Sequence, residues 1–127
     1  MMHPLVLAYL GDTVYDLFVR TYLIHTNDVS VHQLHLKSVS FVKAGSQSKS
    51  LHEIDNLLTE DEKYIVRRGR NAKSGTVPKN ADVVEYRQAT GFESLIGYLY
   101  LTHQEERLCE ILGHVLKAEN QPQQNNI

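Results

Sequence analysis

Apolar residues recur every three or four positions along almost the whole chain, and this spacing restricts the possible folds more than any other feature of the sequence. Such a period places the apolar side chains on one face of a helix, whereas a half-buried strand alternates apolar and polar residues. No stretch of the chain alternates convincingly in that way. The sequence therefore predicts an all-α protein, and 127 residues with 42% hydrophobic positions suffice for one domain with its own core.

Capping residues and polar breaks divide the chain into about five main helices. Ser30 suits the N-cap of the second helix. Thr59 with Glu62, and Asp82 with Glu85, have the spacing of capping boxes at the starts of the third and fourth. The predicted helices cover about residues 5–24, 31–50, 59–72, 82–102 and 103–118.

The composition also limits where the protein can work. The longest uninterrupted apolar run, residues 5–10, is too short to span a bilayer, and no signal segment is recognisable. A single cysteine, Cys109, cannot form an internal disulfide. We therefore expect a cytoplasmic protein without membrane contact, with one domain over residues 1–118 and a disordered polar tail over residues 119–127.

Two carboxylates on apolar helix faces are the candidate site residues. In the first predicted helix no lysine or arginine lies three, four or seven positions from Asp12, and the same holds for Glu93 in the fourth. An ionised carboxylate taken out of water is costly unless it is paired or bound to a metal ion. We predict that Asp12 and Glu93 share a divalent cation. A more solvated helix face is the competing explanation for either acid alone, as at Asp16, which Arg20 pairs four residues later.

The segment RRGRNAKSGTVPK, residues 67–79, carries five cations and no acid, although the whole chain has a net charge of −2. Cations near a helix C-terminus interact favourably with the helix dipole, which accounts for the arginines at 67, 68 and 70. It does not account for the lysines at 73 and 79, which follow in a loop. We therefore predict that this basic segment, residues 67–79, contacts phosphate groups.

The segments LAYLGDTVYD and ATGFESLIGYLYL resemble the two signature helices of the ribonuclease III endonuclease domain. The first family signature has the form E-x-x-G-D; Gly11 and Asp12 match its end, and Ala8 stands at the position of the leading glutamate. The second has the form D-x-x-E; Glu93 matches, and Thr90 replaces the aspartate. The short branch called Mini-ribonuclease III is similar in keeping only these two acids and in carrying the segment RRGRNAKSGTVPKNAD between its third and fourth helices.

This resemblance covers roughly residues 5–118 and implies a ribonuclease III fold. It implies a homodimer with two symmetric active sites along double-stranded RNA, using Mg²⁺, with Mn²⁺ as a substitute, held by Asp12 and Glu93. It also implies an endonuclease domain that binds RNA without a separate double-stranded-RNA-binding domain. The residues that we expect to bind RNA are Arg67, Arg68, Arg70, Lys73, Ser74, Gly75 and Lys79.

The resemblance further implies maturation of the large-subunit (23S) ribosomal RNA precursor, with a ribosomal protein as a candidate partner that presents the RNA. Two alternatives stay open. One is a catalytically silent RNA-binding module of the same fold, which the missing acids at positions 8 and 90 suggest. The other is a helical metal-dependent nucleotide phosphohydrolase, although the basic segment holds more cations than one nucleotide needs.

Overall fold

The structure, a computed structural model, describes residues 2–73 and 77–119, and every regular element within them is helical. This confirms the all-α prediction. None of the described helices is both long and apolar enough to cross a lipid bilayer. In chain order they are α1 (Pro4–Thr26), α2 (Val31–Val42), α3 (Ala44–Ile54), a 3-10 turn (Asp55–Leu57), α4 (Glu60–Asn71), α5 (Val83–Leu101) and α6 (Glu105–Glu119).

The prediction of one helix over residues 31–50 is wrong, because the chain breaks at Lys43. This residue has an extended backbone, with φ −61° and ψ 149°, and so ends α2. Its carbonyl oxygen accepts a hydrogen bond from the backbone N–H of Gln47 at 2.9 Å, in the first turn of α3. The Ser46 hydroxyl donates to the carbonyl oxygen of Ser40 at 2.7 Å, which a continuous helix would pair with the N–H of residue 44. The region therefore contributes two helices.

Helix α5 is the centre of the molecule. It packs against α1, α3, α4 and α6. Four of its apolar side chains, Phe92, Leu95, Ile96 and Leu99, are completely buried. The ring of Tyr15 on α1 meets Phe92 edge to face, with 5.1 Å between the ring centroids. Because most neighbours pack on α5, its side chains are held in fixed positions relative to the other helices.

One buried ion pair joins α6 to the start of α4. Arg107 donates from Nε and Nη2 to the two carboxylate oxygens of Glu62, at 2.8 and 2.7 Å, and from Nη2 to the carbonyl oxygen of Leu57 at 2.6 Å. The Glu62 side chain also accepts from the backbone N–H of Thr59, which completes the predicted capping box. Hydrogen bonds from Arg107 hold the pKa of this carboxyl below its usual range.

We expect Arg107→Ala to lower the free energy of unfolding by about 2–3 kcal/mol near pH 7, because it leaves a buried carboxylate without its cation. A depressed folded pKa stabilises the fold above the unfolded pKa and ceases to do so as the pH falls through the folded value. The difference between wild type and variant should therefore shrink as the pH falls below about 4.5, as measured by urea unfolding.

The matched control for this prediction is Arg20→Ala, which removes the exposed Arg20–Asp16 pair at 3.1 Å. An exposed pair contributes about 0.2–1 kcal/mol, so this variant should remain close to wild type. Equal losses in both variants would contradict the stabilising role assigned to the buried pair.

Candidate active site

The side chains of Asp12 and Glu93 meet within a single chain, where α1 crosses α5. Gly11 lies directly against the backbone of α5, since a Cβ atom there would overlap the carbonyl oxygen of Glu93. One turn further along α5, Gly97 makes the reciprocal contact, and a Cβ atom there would overlap the carbonyl oxygen of Leu7. The two glycines let the helix backbones touch, and this close crossing brings two acids from opposite ends of the sequence together.

The two carboxylates differ in burial. Glu93 is partly buried, whereas Asp12 is exposed. The view that both carboxylates are removed from water is therefore wrong for Asp12. An apolar helix face need not be a buried face: Tyr9, one turn before Asp12, is 82% exposed.

The electrostatics of the pair favour a bound cation. Burial, the negative charge of Asp12 and a hydrogen bond with it together raise the pKa of Glu93 from 4.5 to about 8, and burial is the largest of these causes. None of the ion pairs found in residues 2–73 and 77–119 includes either carboxylate. Two neighbouring carboxylates without a cation repel each other when both are ionised, so a proton or a metal ion must lie between them.

Gln47 is a third polar side chain at this site, and sequence reasoning missed it. Its Nε2 donates to Oε2 of Glu93 at 3.3 Å, and the residue is only 1% exposed. The sequence did contain a signal, because Gln47 lies four and seven positions before Leu51 and Ile54, which are both buried on α3. A lone amide on such a stripe indicates a buried partner.

The positions at which the family signatures carry further acids do not contribute ligands here. Ala8 is 7% exposed and packs in the interior. The hydroxyl of Thr90 donates to the carbonyl oxygen of Tyr86 at 3.0 Å, within its own helix. In the described part of the chain, no group of three or more His, Cys, Asp or Glu side chains could hold a metal ion. The protein ligands available are thus two carboxylates, whose hard oxygens suit Mg²⁺ or Mn²⁺ with several waters retained.

The arginines of the basic segment divide into two groups at the C-terminal end of α4. Arg67 and Arg70 lie on the same stripe as Lys63 and line a cavity of about 160 Å³ beside Asp55. Arg68 points toward the start of α1, where its Nη1 donates to the backbone carbonyl oxygen of Met2 at 3.4 Å. The arginines that were predicted to form one cluster therefore lie on two neighbouring surfaces of the protein.

The remaining residues of the basic segment lie in the connection between α4 and α5. Lys73 and Lys79 are both exposed. Asn80 follows with a φ of 68°, a left-handed conformation that asparagine tolerates. The predicted RNA-binding residues Ser74 and Gly75 lie outside the described residues.

The basic end of α4 and the acid pair lie on different sides of α5. Gly69 and Gly91 form the contact between α4 and α5, and a Cβ atom on Gly91 would lie 2.8 Å from the carbonyl oxygen of Val66. Glu93 is two positions after Gly91, which is roughly 200° around the helix. A ligand that contacts both the acids and the arginines must therefore extend around α5.

Comparison with known proteins places these features in a family. The ribonuclease III domain family matches residues 5–104. The Mini-ribonuclease 3 of Clostridium tetani is 51% identical over 125 residues, covering 98% of this chain and 83% of that protein. The Mini-ribonuclease 3 of a Thermoanaerobacter species is 52% identical over 111 residues, covering 87% and 78%.

The fold agrees with this relationship. A crystal structure of a protein from Fusobacterium nucleatum matches with a TM-score of 0.83 and 35% sequence identity, covering 93% of this chain and 94% of that one. The resemblance seen in the two signature helices is thus confirmed over nearly the whole length. The chain belongs to the ribonuclease III family of endoribonucleases, in its Mini-ribonuclease III branch.

Proposed function

We propose that this protein is a magnesium-dependent endoribonuclease that cleaves double-stranded RNA, with Asp12 and Glu93 as its catalytic and metal-binding residues. The observation that carries the proposal is the meeting of these two carboxylates at the crossing of α1 and α5, where no ion pair among the described residues includes either of them. Membership of the ribonuclease III family supports the reaction class.

The two acids would contribute in different ways. When bound, Mg²⁺ supplies an activated water and stabilises the charge that develops on the scissile phosphate. Asp12 is exposed, so it lies where an RNA phosphate can approach. Glu93 is partly buried and hydrogen-bonded to Gln47, so it forms the fixed side of the site. Its raised pKa means that it must release a proton before it can act as a ligand.

The basic segment is the proposed contact surface for the RNA backbone. Its exposed side chains, Arg67, Arg70, Lys73 and Lys79, can reach phosphates, and we extend the assignment to Arg68, Ser74 and Gly75. A long duplex presents phosphates along its whole length, so it can contact both regions. The basic segment holds more cations than one nucleotide needs, and this argues against the phosphohydrolase alternative. Duplex RNA offers backbone and shape more readily than base edges.

Exposed apolar side chains on α1 support a homodimer. Val6, Leu17 and Ile24 share one stripe and are 49%, 61% and 62% exposed, and Tyr9 beside them is 82% exposed. A cluster of this kind marks a protein interface more often than a solvated surface. Since Asp12 lies on the same helix, a second copy packed there would bring two acid pairs close to one duplex.

We further propose that the physiological substrate is the large-subunit (23S) ribosomal RNA precursor, processed in the cytoplasm with a ribosomal protein presenting the RNA. The support for this part of the proposal is the family relationship. Cleavage of the precursor alone and with each large-subunit ribosomal protein is the direct test.

The central test uses three substrates: a long RNA duplex, one of its strands alone, and a nucleoside triphosphate. With Mg²⁺ we expect cleavage of the duplex only, and loss of cleavage with a chelator. Asp12→Asn should reduce the cleavage rate by at least about 100-fold, because it removes a metal ligand. Asp16→Asn, one turn later on α1 and paired with Arg20, is the matched control and should cleave like wild type.

Each alternative predicts a different result. Duplex binding without cleavage by the wild type would indicate the silent module. Phosphate release from the nucleoside triphosphate, without duplex cleavage, would indicate the phosphohydrolase. Either result overturns the proposed function.

A further inference from the structure

We propose that Gln47 is a positioning residue that orients Glu93 for metal binding. This inference rests on the proposed function of the acid pair. Its basis is the hydrogen bond from Gln47 Nε2 to Glu93 Oε2 at 3.3 Å, which joins α3 to α5 at the crossing with α1.

The burial of Gln47 makes a purely structural role a poor explanation. The side chain is 1% exposed, and its buried neighbours along the inner stripe of α3 are Ser50, Leu51 and Ile54. A buried amide loses its hydrogen bonds to water, and an apolar side chain of similar size avoids this cost. The hydrogen bond to Glu93 therefore explains why an amide occupies this position.

A hydrogen bond to one carboxylate oxygen restricts rotation of the Glu93 side chain. The donor holds Oε2, so the remaining lone pairs of the carboxylate stay directed to the cation that Glu93 would share with Asp12. Metal affinity should depend on this orientation because Ala8 and Thr90 supply no further ligands.

The Gln47 side chain is an uncharged donor, and this matters for metal binding. A lysine or arginine at position 47 could also hydrogen-bond Glu93, yet its positive charge would compete with a divalent cation for the same two carboxylates. An amide orients the carboxylate without this repulsion. The structure thus combines a fixed ligand with a site that still attracts a metal ion.

The test is a calorimetric titration of Mn²⁺ into the full chain, alone and with a short RNA duplex. Gln47→Met removes the donor at similar size and should weaken Mn²⁺ binding by about 10-fold, at the low end of the effect of removing an outer-shell partner. Duplex cleavage by this variant should need more Mg²⁺ for half its maximal rate and recover largely at saturation.

Gln88→Met is the matched control. Gln88 is an amide at the same contact of α3 with α5, and it accepts a hydrogen bond from the hydroxyl of Ser48 rather than contacting Glu93. This variant removes the same chemical group from the same helix contact, so it should leave Mn²⁺ affinity at the wild-type value.

Gln47→Lys tests the charge argument and does not depend on an apolar variant folding. The ammonium group can pair with both carboxylates, so we expect a folded protein that no longer binds Mn²⁺. Wild-type Mn²⁺ affinity in Gln47→Met or in Gln47→Lys would overturn this inference. If the wild type neither binds Mn²⁺ nor cleaves duplex RNA with it, the proposed function itself fails, which is a separate outcome.

Discussion

Glu93→Gln is expected to reduce duplex cleavage by at least about 100-fold and, in metal-free protein, to increase the free energy of unfolding. The loss of cleavage follows from replacing a carboxylate ligand with a neutral amide. The gain in stability follows from removing a partly buried carboxylate that faces Asp12 without a cation. One substitution should therefore move activity and stability in opposite directions.

The difference in stability between Glu93→Gln and wild type should depend on pH, and the raised pKa of Glu93 determines the direction of this dependence. Glu93 binds its proton more tightly in the folded chain, with a pKa of about 8 against an ordinary value of 4.5. Its protonated form therefore stabilises the fold at low pH, and this contribution is lost as the pH rises from the lower value through the higher one. Above about pH 8 the variant should be more stable than metal-free wild type by about 1–3 kcal/mol, allowing for solvent screening.

Metal ions should reverse this difference. Mg²⁺ binds only the folded wild type, so it should raise wild-type stability at high pH and leave Glu93→Gln unchanged. Since metal binding displaces the Glu93 proton, the apparent Mg²⁺ affinity should fall as the pH drops below about 8. Urea unfolding across the pH range, with and without Mg²⁺, measures both effects.

The matched control is Glu85→Gln, two turns earlier on the same helix, where the side chain is exposed. It should affect neither cleavage nor the response of stability to Mg²⁺. Cleavage by Glu93→Gln at the wild-type rate would remove Glu93 from the active site. If metal-free wild type instead gains stability relative to the variant as the pH rises, the Glu93 carboxyl is solvated or otherwise paired.

The acid pair could be predicted from sequence because its signal is local. A helix carries its own ion pairs at three or four residues, as Asp16 and Arg20 do, so the absence of such a partner around Asp12 and Glu93 was visible without coordinates. The two glycines beside them were visible too. Their function as the contact between α1 and α5 depends on which helices cross, and periodicity does not contain that information.

Gln47 and the helix break at Lys43 show what the sequence concealed. The hydrogen bond to Glu93 spans 46 positions, so it depends on the packing of α3 against α5. The helical spacing of apolar side chains continues through Lys43. Periodicity therefore could not reveal that this single residue has an extended backbone and ends α2. Each residue of a helix is rotated by about 100° from the one before, so neighbouring arginines on α4 point in different directions. Which surfaces they reach can be worked out only once the buried side of α4 is known.

Gly11→Ala is expected to disrupt the fold strongly. A methyl group at this position would overlap the carbonyl oxygen of Glu93, and the same change at Gly97 would overlap that of Leu7. Rotation of a side chain cannot relieve a clash with backbone, so α1 and α5 must separate. Because α5 is the packing centre, we expect a loss of more than about 4 kcal/mol or failure to fold.

A milder outcome would still separate the acids. If the variant folds with α1 displaced, Asp12 moves away from Glu93, so Mn²⁺ binding and duplex cleavage should be lost even where circular dichroism shows helices. Gly113→Ala is the control, since a Cβ atom there meets no atom within 4 Å. That variant should gain about 0.5–1 kcal/mol, as alanine replaces glycine inside a helix. Wild-type stability and cleavage in Gly11→Ala would show that backbone contact between α1 and α5 is not what unites the two carboxylates.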